Sequence, residues 1–333
     1  MDKATIFDVA ARAKVSNATV SRALNEPDKV KPETRKRVLD AAEELGYKAN
    51  AFARGLASSK STQVAIVVSD LARASVAEMV KGIIEVASSY SYSTLIFNSP
   101  GDEMSDNMLK DLVSLHVDGI LYLVDEITEN KYKMIKTLKD DYRIPMVLVN
   151  TVYPNDKSFL SVGIDYEKAA YEATKALVQE GRRYISLFST KKRYPVSELK
   201  EKGYLRAVND FDLTPSICYT SGNLDSNYKD ITDFIERKEV DGVIGVRDSI
   251  AIACMNILID HGFRVPDDVS IIGFQNSRSS LLCRPQLSTI NVPIHEIGGT
   301  AMKALTSLMQ KEDEEYVGQI LLDHSIINRK TTK

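Results

Sequence analysis

Of the 333 residues none is tryptophan and only three are cysteine, Cys218, Cys254 and Cys283. The cysteines lie far apart without CxxC spacing, which argues against a disulfide framework or a cysteine-type zinc site and predicts buried structural thiols. No run of about eighteen apolar residues occurs, so no membrane-spanning helix is expected. The opening Met1-Asp2-Lys3-Ala4-Thr5 has no apolar signal segment, which predicts a cytoplasmic chain. Four histidines, His116, His261, His295 and His324, are scattered with no two at ligand spacing, so no metal site is expected. GxxxxGK[ST], HExxH, GxSxG and GxGxxG are all missing. The expectation is therefore a binding protein, not an enzyme, with no cofactor.

What is present begins with an uneven charge. The net charge is −3. Residues 1–60 hold 12 Lys/Arg against 8 Asp/Glu, a balance of +4, while the remainder holds 31 against 38, a balance of −7. A basic head on an acidic body confines contact with a polyanion to the first sixty residues. The length suits two or three domains.

The head reads as three short helices. Thr5-Ile6-Phe7-Asp8 has the capping-box pattern, and Ile6, Val9, Ala10 and Ala13 fall on one helical face. Lys14-Val15 makes a short turn. Ser16 caps a second helix from Asn17 to about Asn25, whose inward positions are included in Ala18, Val20, Ala23 and Leu24. Lys31-Pro32-Glu33 starts a third helix, with a stripe of Val38, Leu39, Ala42 and Leu45 and a stop at Gly46. Two short helices joined by a tight turn form a helix-turn-helix, whose second helix fits a major groove. Asn17, Thr19, Ser21 and Arg22 on that helix are polar positions a packed core does not require. Arg22 suits a guanine edge, Asn17 a base or phosphate, and the hydroxyls phosphate oxygens.

Ile6-Phe7-Asp8-Val9-Ala10, Val15 through Asn25, and Asn50-Ala51-Phe52-Ala53-Arg54-Gly55-Leu56-Ala57 together resemble the head of the lactose-repressor/galactose-repressor family. That resemblance implies a DNA-binding transcription regulator, a repressor, that binds a pseudo-palindromic operator as a homodimer. It places Thr5, Ser16, Asn17, Ala18, Thr19, Ser21, Arg22 and Asn25 at the DNA. It also implies a hinge helix in which Asn50, Ala53, Arg54 and Leu56 meet DNA, the paired leucines of two subunits wedging into the minor groove. Ala49 departs from the proline often found in the family, leaving the hinge entry less rigid.

From Gln63 onward short apolar strands alternate with amphipathic helices. Strands are expected at Val64–Val68, Thr94–Phe97, Gly119–Val124, Pro145–Val149, Tyr184–Phe188, Gly242–Val246 and Ser270–Phe274, which reads as two α/β subdomains with doubly wound parallel sheets. The family resemblance implies a periplasmic-binding-protein-like body in which the chain crosses three times, near residues 161, 290 and 320. The expected division is 1–48 head, 49–60 hinge helix, 61–161 with 291–320 N-terminal subdomain, and 162–290 with 321–333 C-terminal subdomain. Gln319–Ile327 is expected as a strand of the second subdomain. No heptad tail follows Lys330, which gives no support for a coiled-coil tetramer.

Candidate effector positions are Asp70, Ser75, Lys200, Asp248 and Gln275. Sugar-responsive family members commonly carry aromatics, an arginine and an aspartate where this chain has Ser75 and Val76, Lys200, and Gln275. The aromatic platform, the bidentate fork and the acceptor-only carboxylate are all replaced, which predicts weak binding of common free hexoses. Asp248 serves equally well as a helix cap. A catabolite-control branch of the family answers instead to a serine-phosphorylated phosphocarrier protein docked on the N-terminal subdomain. The echoes of that branch here are Tyr90-Ser91-Tyr92, Gly163-Ile164-Asp165-Tyr166, Arg284-Pro285-Gln286-Leu287 and Thr332-Lys333. The matching docking positions are Tyr90, His295 and Lys303, with His324 at a further, normally basic position. A sugar or sugar-phosphate effector and the phosphoprotein partner thus both stand. A solute-binding protein would share the body but lack the basic head.

Overall fold

The computed structural model describes residues 4–47, 61–99, 106–124, 127–151, 158–221, 224–310 and 318–333. The head contains α1 (Ile6–Ala13), α2 (Asn17–Asn25) and α3 (Pro32–Glu44). Its core is three valines and five alanines: Val9, Ala10, Ala13, Val20, Ala23, Val38, Ala41 and Ala42. With so little apolar surface to bury, the helix ends need good capping. Thr5 supplies one cap, its backbone N–H and its hydroxyl both donating to Asp8 Oδ2, at 2.8 and 2.7 Å. Ser16 Oγ accepts from Thr19 N–H at 3.2 Å to start α2. Lys14 takes the left-handed conformation, φ 53°, that lets α1 turn into α2, and Arg37 of α3 donates to the Ala13 carbonyl. Arg12 and Glu44 pair at 2.7 Å across α1 and α3. Leu39 departs from the expected stripe: it is 42% exposed and Ala41 is buried in its place, because the helical turn aims positions 38, 41 and 42 at the other two helices. Of the four apolar residues of α2, Val20 and Ala23 supply the inward positions, and Ala18 is exposed.

The body is built on two six-stranded sheets. Its strands are β1 (Gln63–Val68), β2 (Ser93–Asn98), β3 (Gly119–Leu123), β4 (Met146–Val149), β5 (Leu160–Ile164), β6 (Ile185–Thr190), β7 (Ile217–Thr220), β8 (Gly242–Gly245), β9 (Ser270–Phe274), β10 (Ser288–Asn291), β11 (Gly318–Leu322) and β12 (Ser325–Ile327). The helices are α4 (Ala74–Ser89), α5 (Asp106–Ser114), α6 (Glu129–Asp140), α7 (Tyr166–Gln179), α8 (Pro195–Asp210), α9 (Leu224–Ile235), α10 (Asp248–Asp260), α11 (Arg278–Leu282) and α12 (Ile294–Gln310). Sheet orders are β2-β1-β3-β4-β5-β11 and β7-β6-β8-β9-β10-β12, the same 2-1-3-4-5 winding twice. Each sheet reverses direction beside its first strand, where α/β folds bind ligands beyond the strands' carboxyl ends.

Gln319–Ile327 is not one strand of the second subdomain. β11 pairs parallel with β5, Ile320 opposite Val162, and only β12 joins the second sheet, antiparallel to β10. β5 would otherwise be an open edge, and β11 pairs its outer backbone groups. β5 itself continues to Ile164, with Val162 opposite Val149 of β4 and Gly163 and Ile164 opposite Leu321 and Leu322 of β11, so residues 162–164 stay with the first sheet. Two helix pairs touch backbone to backbone. A Cβ on Gly82 of α4 would overlap the His295 carbonyl of α12, and one on Gly203 of α8 would overlap the Glu167 carbonyl of α7. Cys218 and Cys254 are buried and Cys283 is half-buried; burial pushes the Cys218 thiol up to about 12. No helix among the described residues is long and apolar enough to cross a membrane.

Candidate nucleic-acid interface and effector cleft

On α2 the inward residues Val20 and Ala23 are buried, and Asn17, Ala18 and Arg22 are exposed. Thr19 and Ser21 are half-buried and Ser16 is exposed. Ser16 and Thr19 also hydrogen-bond each other, 2.9 Å between their hydroxyls, so their first duty is to hold the start of the helix. Thr5 is exposed at the start of α1, where the Asp8 carboxyl is held below the usual range by the Thr5 hydroxyl and the Thr5 N–H. Asn25 is the last residue of α2. The expectation did not include Phe7, 67% exposed on α1. Its signal was its position off the Ile6-Val9-Ala10-Ala13 face, where an aromatic has no core to enter. The hinge positions Asn50, Ala53, Arg54 and Leu56 lie outside the described residues.

In the body the five candidate effector positions divide between the ends of the two sheets. Asp70 follows β1, is exposed, and accepts the Ala72 N–H at 2.9 Å. Ser75 is half-buried in the first turn of α4 and Val76 is buried. Lys200, Asp248 and Gln275 gather at the ends of β8 and β9. Lys200 is buried, donating to the Val246 carbonyl at 2.8 Å, its ammonium 4.5 Å from the Phe274 ring centre and 4.9 Å from that of Tyr166. That geometry stabilises a buried cation. Asp248 is also buried. Its carboxylate accepts the Ser277 N–H and the Thr289 hydroxyl, both at 2.6 Å. Burial pushes its carboxyl up, against the pull of those hydrogen bonds and Arg329.

These contacts pin an unusual loop. Gln275 and Asn276 both have positive φ, 115° and 53°; asparagine tolerates the left-handed region, but the value at Gln275 is one that a side-chain-bearing residue adopts only when its surroundings impose it. Asn276 Nδ2 donates to Asn291 at 2.9 Å, and Arg329 donates to Asn276 Oδ1. Asp248 therefore acts here as an organiser of this loop. None of the five positions lines the cavity of about 500 Å3 that runs along β5 and β11.

The docking positions sit on or beside the α4–α12 pair. Tyr90 caps the end of α4 and is 46% exposed. His295 Nε2 lies 2.9 Å from Glu85 Oε2, both side chains half exposed, and Lys303 is exposed on α12. His324 is set apart, packed against Glu172 at 2.8 Å. Among the described residues no His/Cys/Asp/Glu group is placed to hold a metal ion.

A three-helix DNA-type head followed by two like-wound parallel sheets defines a class, the one-chain regulators with a binding-protein-like body. The description of bacterial regulatory proteins of the lacI family matches residues 5–50, and that of a periplasmic binding protein-like domain matches residues 174–332. Catabolite control protein A of Priestia megaterium is 36% identical over 335 residues, with 99% of each chain covered. The protein of that name from Staphylococcus xylosus is 34% identical over 338 residues, again with 99% of each covered. Among solved structures, the lac repressor dimer bound to operator and the anti-inducer ONPF superposes with a TM-score of 0.88 at 23% identity, covering 99% of both chains. CcpA of Lactococcus lactis gives 0.72 at 29%, covering 81% of this chain and 99% of that one. The chain belongs to the lacI family of bacterial regulatory proteins and is a DNA-binding transcription regulator.

Proposed function

We propose that two copies of this chain bind a pseudo-palindromic operator in the cytoplasm and repress transcription under control of a signal received by the body. The observation that carries the reading is the face of α2: Asn17, Ala18 and Arg22 face solvent while Val20 and Ala23 anchor the helix. Such a helix places donors against base edges. In support of a dimer, Leu281 and Leu282 on α11 are 46% and 69% exposed, an adjacent apolar pair suited to a second copy. Leu56 of each copy would wedge the centre of the site. Footprint selection with purified protein tests the whole. Arg22→Ala is expected to cost about 1–3 kcal/mol and to relax preference at one base position; uniform weakening on every sequence would mean that Arg22 holds phosphate alone. Leu56→Ala is expected to reduce bending in a permutation assay while the head stays folded, and unchanged bending refutes the wedge.

For the signal, the α4–α12 surface favours a docked serine-phosphorylated phosphocarrier protein, the relatives' name being catabolite control protein A. Tyr90 and Lys303 are exposed there beside the Glu85–His295 pair. Lys303 attracts phosphate without the planar fork of an arginine. Titration calorimetry with the phosphorylated partner, repeated on Lys303→Glu, decides between this partner and a sugar or sugar phosphate.

A further inference from the structure

Asp118 stands between α5 and β3, and its carboxylate is engaged by the chain that enters β1. Oδ1 accepts the Ser61 N–H at 2.9 Å and the Ser61 hydroxyl at 3.1 Å, and Oδ2 accepts the Thr62 N–H at 2.9 Å. The Asp118 N–H donates in turn to the Gln63 carbonyl at 2.8 Å. A tight turn presents the carboxylate, with Val117 buried and His116 at φ 49°. Hydrogen bonds to an ionised acceptor are the strong kind, so residues 61 and 62 are held firmly.

The second sheet carries the same device, which makes an internal control. Asp241 precedes β8 as Asp118 precedes β3, and its N–H donates to the Tyr184 carbonyl at 3.1 Å. Val64 lies opposite Gly119 and Ile185 opposite Gly242, so Ser61 and Thr62 correspond to Arg182 and Arg183. The Asp241 carboxylate accepts the N–H groups of Arg183 and Tyr184, at 2.8 and 2.7 Å. Asp118 therefore reaches one residue further from its strand than Asp241 does. Gln63, which matches Tyr184, gives its N–H to Ser61 Oγ at 3.2 Å instead. The outward reach brings strain: Thr62 takes φ 56°, whereas none of Arg182, Arg183 and Tyr184 has a positive φ. Thr62 is β-branched and exposed, so the clamp, and not packing, imposes that conformation.

The two sheets differ in what precedes them. Before Arg182 comes α7, to which the Arg182 N–H returns at the Leu177 carbonyl, 3.0 Å away. Before Ser61 comes the segment 49–60 that leads to the head. We propose that Asp118 is a positioning residue for operator binding, which fixes the point and direction from which that segment leaves β1. Two copies must present their segments at one spacing to meet both halves of a site. A loose attachment adds conformational freedom that binding has to remove, and it widens the range of spacings the dimer accepts. The assignment deepens the reading of the chain as a dimeric operator-binding regulator, and rests on it.

The test uses the full chain and the pseudo-palindrome recovered by footprint selection. Versions with one central base pair added or removed, and unrelated duplex DNA of the same length, are titrated beside it. Asp118→Asn keeps one acceptor oxygen of two. It is expected to weaken the pseudo-palindrome by about tenfold, to leave unrelated DNA within about twofold, and to narrow the preference for the original spacing. Asp241→Asn breaks the matching clamp. It is expected to lower the urea stability of the body by a like amount while operator affinity and spacing preference stay within about twofold of the parent. Ser61→Ala removes one hydroxyl at a half-buried position, so it should fold as the parent does. Its expected effect is a loss of about threefold on the pseudo-palindrome, with the spacing preference relaxed in the same direction. Parent-like binding by Asp118→Asn, or equal losses in the two aspartate variants, overturns the proposal. Should Asp118→Asn not fold, a parent-like spacing preference in Ser61→Ala overturns it. A parent chain that prefers no sequence sinks the regulator reading, whereas a parent preference untouched by Asp118→Asn sinks only the role of Asp118.

Discussion

The head and the body handle polar groups in opposite ways. In the head, Thr5, Asp8, Ser16 and Thr19 lie at helix starts at or near the surface, each satisfying a neighbour no more than three residues away. In the body, Asp248 is buried and holds groups 29 and 41 residues distant. The head also buries only valines and alanines at its centre, while the body buries Phe188, Phe274, Tyr122 and Tyr204. A small core leaves polar residues at the rim, where they cap helices and remain available to a partner. A large core permits a polar network inside, provided its donors are paired. The polar groups of the head thus act over a few residues at its surface, whereas the interior network of the body ties together distant segments.

The sharpest way to break that contrast is Asp248→Ala. It leaves the Ser277 N–H and Thr289 hydroxyl without their acceptor, partly offset by removal of a buried carboxylate. The expected loss is about 2–4 kcal/mol of body stability in urea unfolding, with amide exchange in α1 to α3 unchanged. A loss under about 1 kcal/mol would show that the network contributes little. The head should respond most to a backbone change. Lys14 is held at φ 53°, and Lys14→Gly is expected to stabilise the head by about 0.5–1 kcal/mol, read from exchange protection in α1 and α2. Destabilisation instead would mean that glycine's freedom in the unfolded chain outweighs the relieved strain.

The smallest effects differ in sign. Asp8 titrates below its ordinary value, so the stability it contributes is present above the unfolded carboxylate pKa and is lost as pH falls through the folded one. Asp248 titrates above its ordinary value, so its contribution is present below the unfolded pKa and is lost as pH rises through the folded one. Exchange protection followed across the acidic range should fall in α1 toward low pH, and Asp8→Ala should flatten that fall. Protection around β10 should carry a component of opposite slope that Asp248→Asn removes. Equal slopes in both regions would end the distinction between rim and interior carboxylates.

Legibility follows the same division. The helices at Ile6–Ala13, Asn17–Asn25 and Pro32–Glu44 and the strand Ser270–Phe274 were readable because caps, turns and apolar period act over a few residues. Leu39 was misread because its apolar character fits the stripe while the rotation of α3 against α1 and α2 turns it outward. Gln319–Ile327 was misread because pairing partners are not written in a strand: β5, more than 150 residues earlier, takes the first part and β10 the second. Asp248 was open between ligand and cap because the groups that claim it lie in other elements.

By itself the sequence determined the three-helix head, the outward Asn17 and Arg22, and the alternation that makes parallel sheets, since each is set by contacts short along the chain. Only the tertiary structure decided that Asp248 organises the loop after β9 and that Gly82 and Gly203 sit where helix backbones touch. Those properties depend on which distant segments meet. Pairing and burial between elements are settled by the packing of the whole body, which no local period or spacing records.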